Sequence, residues 1–361
     1  MTQTTTRRAA TLFALTSALA CSSETTPSEP APEPPATARP ADPPPTPLAN
    51  RVDITLTDYV DGAGKLLRVP VSIGGSHEVG VLLDTGSDGL RVFAHALDDA
   101  AIELGDQAIV VEFGGGNRMA GHLATAELSI GEVATAGPIG IHWVESLECA
   151  PDMPSCDFAQ GTAPFFEDSG IVGILGVSTR PGATAGLESP FAQLDPSLSS
   201  GFLIHTDGFE GASGHILFGP DALAEEGFTE LALPAAGSLG TGRPAWADDR
   251  LELCFSVDGS ALDPACTEGV FDTGASVDIV YAPNLPAEKN AGGALAPGAV
   301  LGIEAGGAFN FDVTVGAVPT PSLDLVFLDA YEPFAILGIG AFLRHDVRYD
   351  LTLGTIGFRA H

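Results

Sequence analysis

Two acidic residues of this chain stand in matched surroundings. Asp84 begins Asp84-Thr85-Gly86-Ser87 within GVLLDTGSDGLRVFA, and Asp272 begins Asp272-Thr273-Gly274-Ala275-Ser276 within GVFDTGASVDIVYAP. In each copy an apolar run leads straight into Asp-Thr-Gly, and an Ile-Leu-Gly follows later: Ile174-Leu175-Gly176 after the first, Ile336-Leu337-Gly338 after the second. A single Asp-Thr-Gly arises by chance about once in several thousand positions, so two in the same context mark a duplication. A carboxyl at the end of a buried strand, in a tight glycine turn, is held by backbone N–H groups and a nearby hydroxyl. Two such turns placed face to face bring two carboxyls within hydrogen-bonding distance. Like charges that close share one proton over a range of pH and titrate as a unit. One can then act as general base on a water while the other, protonated, polarises a carbonyl oxygen. That chemistry hydrolyses an amide without a metal or a covalent intermediate. The plainer reading is that both Asp residues serve only as turn or capping residues in separate loops.

The elements that must carry these turns are strands. Runs at 52–57, 67–73, 79–83, 108–113, 251–257 and 309–315 are short, rich in Val, Ile, Leu and Phe, and punctuated by Gly, Asp and Pro. Few stretches keep a helical period for more than two turns, with short helices expected near 191–194 and 339–345. The fold class read from this pattern is all-β. From residue 51 to the end about 310 residues remain, enough for two lobes, each with its own core. The expected division is 51–220 for an N-terminal lobe and 221–361 for a C-terminal lobe.

These residues resemble the pepsin family of aspartic peptidases over nearly all of 51–361. VLLDTGSDGL and FDTGASVDIV match the two catalytic loops, FAILGIGAFLRHDVRYDLTLGTIGFR the closing stretch, and SGFLIHTDGFEGASGHILFG the strand-turn-strand before the interlobe connection. The resemblance implies a bilobal all-β fold with a cleft between the lobes, and an endopeptidase with an acidic optimum acting on polypeptide. It implies Asp84 and Asp272 as the catalytic dyad. Gly86, Gly274 and Ser276 then belong to the supporting loops, Ser87 is the hydroxyl neighbour of Asp84, and Thr85 and Thr273 hydrogen-bond across the lobe interface. It also implies that 110–123, VVEFGGGNRMAGHL, is a hairpin lid over the cleft, with Phe113, Gly114 and Gly115 at its tip and three consecutive glycines making it mobile. Three departures stand out. The family usually has Tyr at Phe113 and Trp at Arg91, joined by a hydrogen bond that holds the lid, and a hydroxyl residue at Ala275. Phe113 keeps the ring but not the hydroxyl, and Arg91 is expected neither to accept such a bond nor to pack like indole, which leaves open how the lid is positioned. A non-catalytic binding or inhibitor protein on the same fold is the alternative, although such relatives generally lose one of the two Asp residues.

Composition narrows the rest. Lys and Arg number 15 against 47 Asp and Glu, a formal charge of −32, which excludes a non-specific nucleic-acid binder. Lys65 and Lys289 are the only lysines, so no lysine cluster can grip phosphates or anionic lipid. With 45% hydrophobic residues and 44 Gly the chain suits a turn-rich packed protein. There is no His-Glu-x-x-His, P-loop or EF-hand spacing, and neither a metal nor an organic cofactor is expected. The eight His are scattered along the chain, each read as a surface or satisfied core residue.

The N-terminus reads as an export signal over 1–20: Arg7 and Arg8, then an apolar run too short to span a bilayer. Ala18-Leu19-Ala20-Cys21 resembles a bacterial lipobox, so Cys21 is expected to carry lipid; ordinary signal cleavage is the alternative. The tether, 21–50, carries ten Pro and cannot bury a core. An exported protein is therefore expected, either a periplasmic or outer-membrane lipoprotein or a secreted one. It is expected to be a monomer, to meet a membrane only through its anchor, and to need no prosegment removal. The other four cysteines fit an oxidising compartment, with disulfides expected between Cys149 and Cys156 and between Cys254 and Cys266, or else free buried thiols.

Overall fold

The short apolar runs become strands throughout. The computed structural model describes residues 49–59, 64–154, 156, 158, 164–281, 295–315, 325–328 and 334–361. The expected signal at 1–20, Cys21 and nearly all of the tether at 21–50 lie outside the described residues. Everything described falls within one unit, Pro47–His361. Helical structure among the described residues is confined to single turns, including a 3-10 turn at Pro190–Gln193 and a helical turn at Ile339–Phe342, both where the sequence pattern places them.

The strands form two principal sheets, giving an all-β, bilobal chain. A 15-stranded sheet takes its members from Arg51–Tyr59 through Ser213–Phe218 and then recruits the distant strands Thr229–Ala232, His345–Asp350 and Thr355–Ala360. A seven-stranded sheet is built between Leu251–Val257 and Phe334–Leu337. His345–Asp350 lies antiparallel beside Gly201–Thr206, so the end of the chain closes onto the sheet that its beginning started. Aromatic clusters fill both regions. Phe191 meets Phe202 and Phe218 edge-on at 4.9 Å, and Phe271 meets Phe309 in the same way at 4.9 Å. Each fully buried Phe contributes roughly 2 kcal/mol or more from area burial alone.

One local arrangement occurs twice. Val79–Asp84 is buried along its whole length and runs parallel to Ile171–Val177, pairing Asp84 with Gly176. Asp88–Phe93 returns antiparallel on the other side of the same strand, pairing Gly89 with Gly176. In the second half, Ser260–Phe271 runs parallel to Phe334–Leu337, and Asp278–Tyr281 returns antiparallel beside it. Each Asp-Thr-Gly turn therefore straddles an Ile-Leu-Gly strand. The glycine that ends each strand is required by close approach: a Cβ on Gly176 would meet the Asp88 backbone at 2.7 Å, and one on Gly338 the carbonyl oxygens of Ala275 and Val277 at 2.6 Å.

Both expected disulfides are present. Cys149–Cys156 closes a seven-residue loop, and Cys254–Cys266 joins directly opposed residues of two neighbouring strands.

Candidate active site

The two Asp-Thr-Gly turns meet through their threonines. Thr85 Oγ1 donates to the Phe271 carbonyl at 2.7 Å and Thr273 Oγ1 to the Leu83 carbonyl at 2.7 Å. Each hydroxyl also accepts the other residue's backbone N–H, at 3.1 and 3.0 Å. Both threonines are buried, so losing any of these bonds would leave a polar group unpaired in the interior. Four bonds related by near-twofold symmetry fix the turns against each other.

The carboxylates face one another above this lock. Gly86 N donates to Asp84 Oδ1 at 2.8 Å and Gly274 N to Asp272 Oδ1 at 2.7 Å. A Cβ on Gly274 would lie 2.8 Å from Asp84 Oδ1 and 3.0 Å from Asp272 Oδ1, so both carboxylates border the same small volume. They hydrogen-bond to each other. Burial first, then the charge and hydrogen bond of Asp84, push the Asp272 carboxyl well above the usual carboxylate range. Ser87 Oγ donates to Asp84 Oδ2 at 2.5 Å. On the second turn Ala275 has no hydroxyl to offer, and Ser276 lines the cavity beside Asp272. The Asp272 carboxyl accepts the backbone N–H groups of Gly274 and Gly86 and shares a hydrogen bond with Asp84.

The expected lid is a hairpin of Glu103–Glu112 and Asn117–Ala126, pairing Val110 with Ala120 and Glu112 with Arg118. Its turn is closed by Gly116 N donating to the Phe113 carbonyl at 2.8 Å. Gly114 and Gly115 are exposed. Gly116 is buried at φ 79°, where a side chain would strike Met153, and its carbonyl accepts the Ala150 N–H at 2.8 Å. The tip is thereby tied to the loop closed by Cys149–Cys156.

Two cavities, about 550 and 350 Å³, open beneath the hairpin, and Asp84, Asp272, Phe113 and Gly114 border both. The larger has a polar wall that includes Asp88, Arg91, Glu112 and Arg180. The smaller is apolar, with Leu82, Met119, Phe158, Ile174 and Ile279. The dyad thus lies where the two meet. His77 and His122 pair with Asp99 and Glu145, each at 3.1 Å, and do not line either cavity.

Arg91 packs against the lid, although not as an indole would: its guanidinium lies under the Phe113 ring, 5.7 Å from the centroid, a cation–π separation. The group is 3% exposed, donates to the Asp88 carbonyl at 2.6 Å and lies 3.5 Å from Ser87 Oγ. Burial lowers its pKa, opposed by the charges of Asp88 and Asp84. A cation on a ring replaces the expected hydrogen bond, and the ring needs no hydroxyl for it.

Three contributors were not read from the sequence. Arg180 donates to the Gly86 carbonyl and pairs with the buried Asp248 at 2.8 Å, bracing the first turn from outside. Tyr281 sets its hydroxyl near Gly114 at the lid tip, 4.0 Å from where a Cβ would stand. Asp278, six residues after Asp272, is 2% exposed and accepts the Gly338 N–H at 2.7 Å. A lone Arg or Tyr on a loop carries no sequence signal, but Asp278 does, because the first copy has Leu90 at the matching place.

A two-lobed, all-β chain that locks two Asp-Thr-Gly turns face to face under a hairpin defines an aspartyl-peptidase-like protein. The chain belongs to the family described as the PE-PGRS C-terminal aspartyl peptidase-like domain, whose model matches residues 54–236. No curated protein matches the chain. The matched span contains Asp84 and the hairpin and ends before Asp272.

Proposed function

We propose that the protein is a pepsin-like aspartic endopeptidase in which Asp84 and Asp272 act as a pair on one water. The observation that carries this reading is the approach of the two carboxyls across the Thr85–Thr273 lock, beneath a hairpin and where two cavities meet. Asp272, whose carboxyl is pushed well above the usual carboxylate range, holds the shared proton. Asp84, bonded by Gly86 N and Ser87 Oγ, takes a proton from the bound water as it attacks the carbonyl carbon, while Asp272 gives its proton to the carbonyl oxygen. Collapse of the tetrahedral diol returns one proton to Asp272 and passes the proton on Asp84 to the departing amine. Atoms and charge balance with no metal or cofactor in the step.

The biological setting we propose is an exported enzyme with lobes 51–220 and 221–361, held by a lipid on Cys21 at the end of a Pro-rich spacer and acting on polypeptide as a monomer. A non-catalytic binding role is the second reading, favoured by Phe113, Arg91 and Ala275 standing where peptidases of this kind usually carry Tyr, Trp and a hydroxyl. One assay separates the two: cleavage of casein or haemoglobin from pH 3 to 7, with and without pepstatin, by wild type and Asp84→Asn. Acid-dependent, pepstatin-sensitive cleavage that the variant lacks supports the enzyme. Cleavage unaffected by the substitution, or none at any pH from folded wild type, ends that assignment.

A further inference from the structure

Two of the histidines scattered along the sequence come together in space. His205, at the end of Gly201–Thr206, and His361, just past Thr355–Ala360, both turn a ring nitrogen to the same oxygen of Asp346, which lies on His345–Asp350 between them. His205 Nδ1 is 2.6 Å and His361 Nε2 3.1 Å from Asp346 Oδ1. One ligand atom from each of the three residues lies within 4.8 Å of the other two. In a tetrahedral zinc site, with bonds of about 2.1 Å, neighbouring ligand atoms stand about 3.4 Å apart. The observed triangle therefore needs adjustments of at most about 1.4 Å in any separation to close on a metal. We propose that His205, Asp346 and His361 form a binding site for a divalent transition-metal ion, with zinc the best match to two imidazoles and one carboxylate.

The outward atoms of two of the ligands carry the partners such a site requires. Asp346 Oδ2 accepts Arg359 Nε at 2.9 Å and Nη2 at 2.6 Å, which orients Oδ1 toward the histidines. His205 Nε2 faces Asp207 Oδ1 at 3.6 Å. A metal on Nδ1 would leave the Nε2–H directed to Asp207. Carboxylate partners on metal-binding histidines fix the tautomer in this way. Asp346 is buried, whereas both imidazoles are partly exposed, leaving an entry path and room for water as a further ligand. The strong negative charge of the whole chain raises the local concentration of cations. Two strands and the residue after a third supply the ligands, so a bound ion would pin the end of the chain to Gly201–Thr206. No residue of this site lines the cleft, and the inference stands whether or not the chain cleaves peptides.

Calorimetric titration of zinc sulfate into the full chain at pH 7.5 tests the proposal, with melting temperature as a second readout. One saturable site per chain and a rise in melting temperature are expected in wild type. His361→Ala and His205→Ala are each expected to weaken binding by at least about 100-fold while melting normally in the presence of a chelator. Should either variant fold poorly, cobalt(II) bound to wild type is expected to show the intense visible bands of a tetrahedral N/O site. Absence of saturable binding, unchanged binding in the His205→Ala/His361→Ala double variant, or cobalt spectra of a fully hydrated ion would each overturn the assignment and leave a hydrogen-bonded cluster only.

Discussion

A Cβ on Gly86 would stand 2.4 Å from Asp272 Oδ2. Gly86 belongs to the first Asp-Thr-Gly and Asp272 to the second, so the glycine of one turn makes room for the acid of the other. Its φ lies outside the left-handed region, and the requirement is one of space. The same holds in reverse for Gly274 and Asp84. The third residue of the motif is thus set by the partner turn.

Gly86→Ala is accordingly expected to push the carboxylates apart while the sheets that frame them persist. A displacement near 1 Å costs on the order of 100-fold in rate. Peptide cleavage should fall by at least that factor in a variant whose far-ultraviolet circular dichroism is native.

Thr85→Val keeps the shape of the side chain and removes its hydroxyl, leaving the Phe271 carbonyl and the Thr273 N–H unpaired. A loss of about 1–3 kcal/mol in unfolding free energy is expected from denaturant titration. Thr273→Val should do the same, and the double variant should lose less than the sum, because the four bonds form one network.

Asp278 gives the fold a pH dependence. Burial raises its carboxyl from the ordinary 3.8 to about 7, against the Gly338 N–H and the Arg344 charge, which act to lower it. The folded chain therefore keeps this proton where the unfolded chain has lost it. The resulting stability is fully present below about pH 4 and declines as pH rises through 7, by up to about 4 kcal/mol in all. Asp272 adds to the trend in the same direction. Above pH 6.5, where the depressed imidazoles of His142 and His215 no longer add stability as pH rises, melting temperature should fall toward pH 8 in wild type, and Asp278→Asn should flatten much of that slope.

The hairpin hangs on the loop of Cys149 and Cys156 through Gly116, Ala150 and Met153. Replacing both cysteines by Ser should raise KM for a peptide substrate severalfold, with a smaller change in kcat. Arg91→Met should likewise raise KM, by removing the cation beneath Phe113.

Much of this architecture was legible in the sequence, for definite reasons. Val79–Asp84 and Ser260–Phe271 announce themselves because a buried strand ending in a tight turn demands apolar residues followed by Asp and Gly, and the repetition doubled the signal. Ile336-Leu337-Gly338 could be matched to Ile174-Leu175-Gly176 on the same ground. Contacts between residues far apart in the chain stayed hidden. Arg180 reaches Asp248 across 68 positions, and His205 reaches Asp346 across 141, through strand pairings that leave no trace in local spacing. The place of Arg91 stayed hidden because the family comparison framed it as a missing Trp, when a guanidinium can also stack on a ring.

The most direct test of the account bears on Asp272, the member of the pair beyond the span matched by the family. Initial rates of casein cleavage at acidic pH should be compared between wild type and Asp272→Asn, both shown to be folded. Pepstatin-sensitive cleavage by wild type and a loss of at least about 1,000-fold in the variant are expected. A variant that cleaves at the wild-type rate would contradict the role given to Asp272.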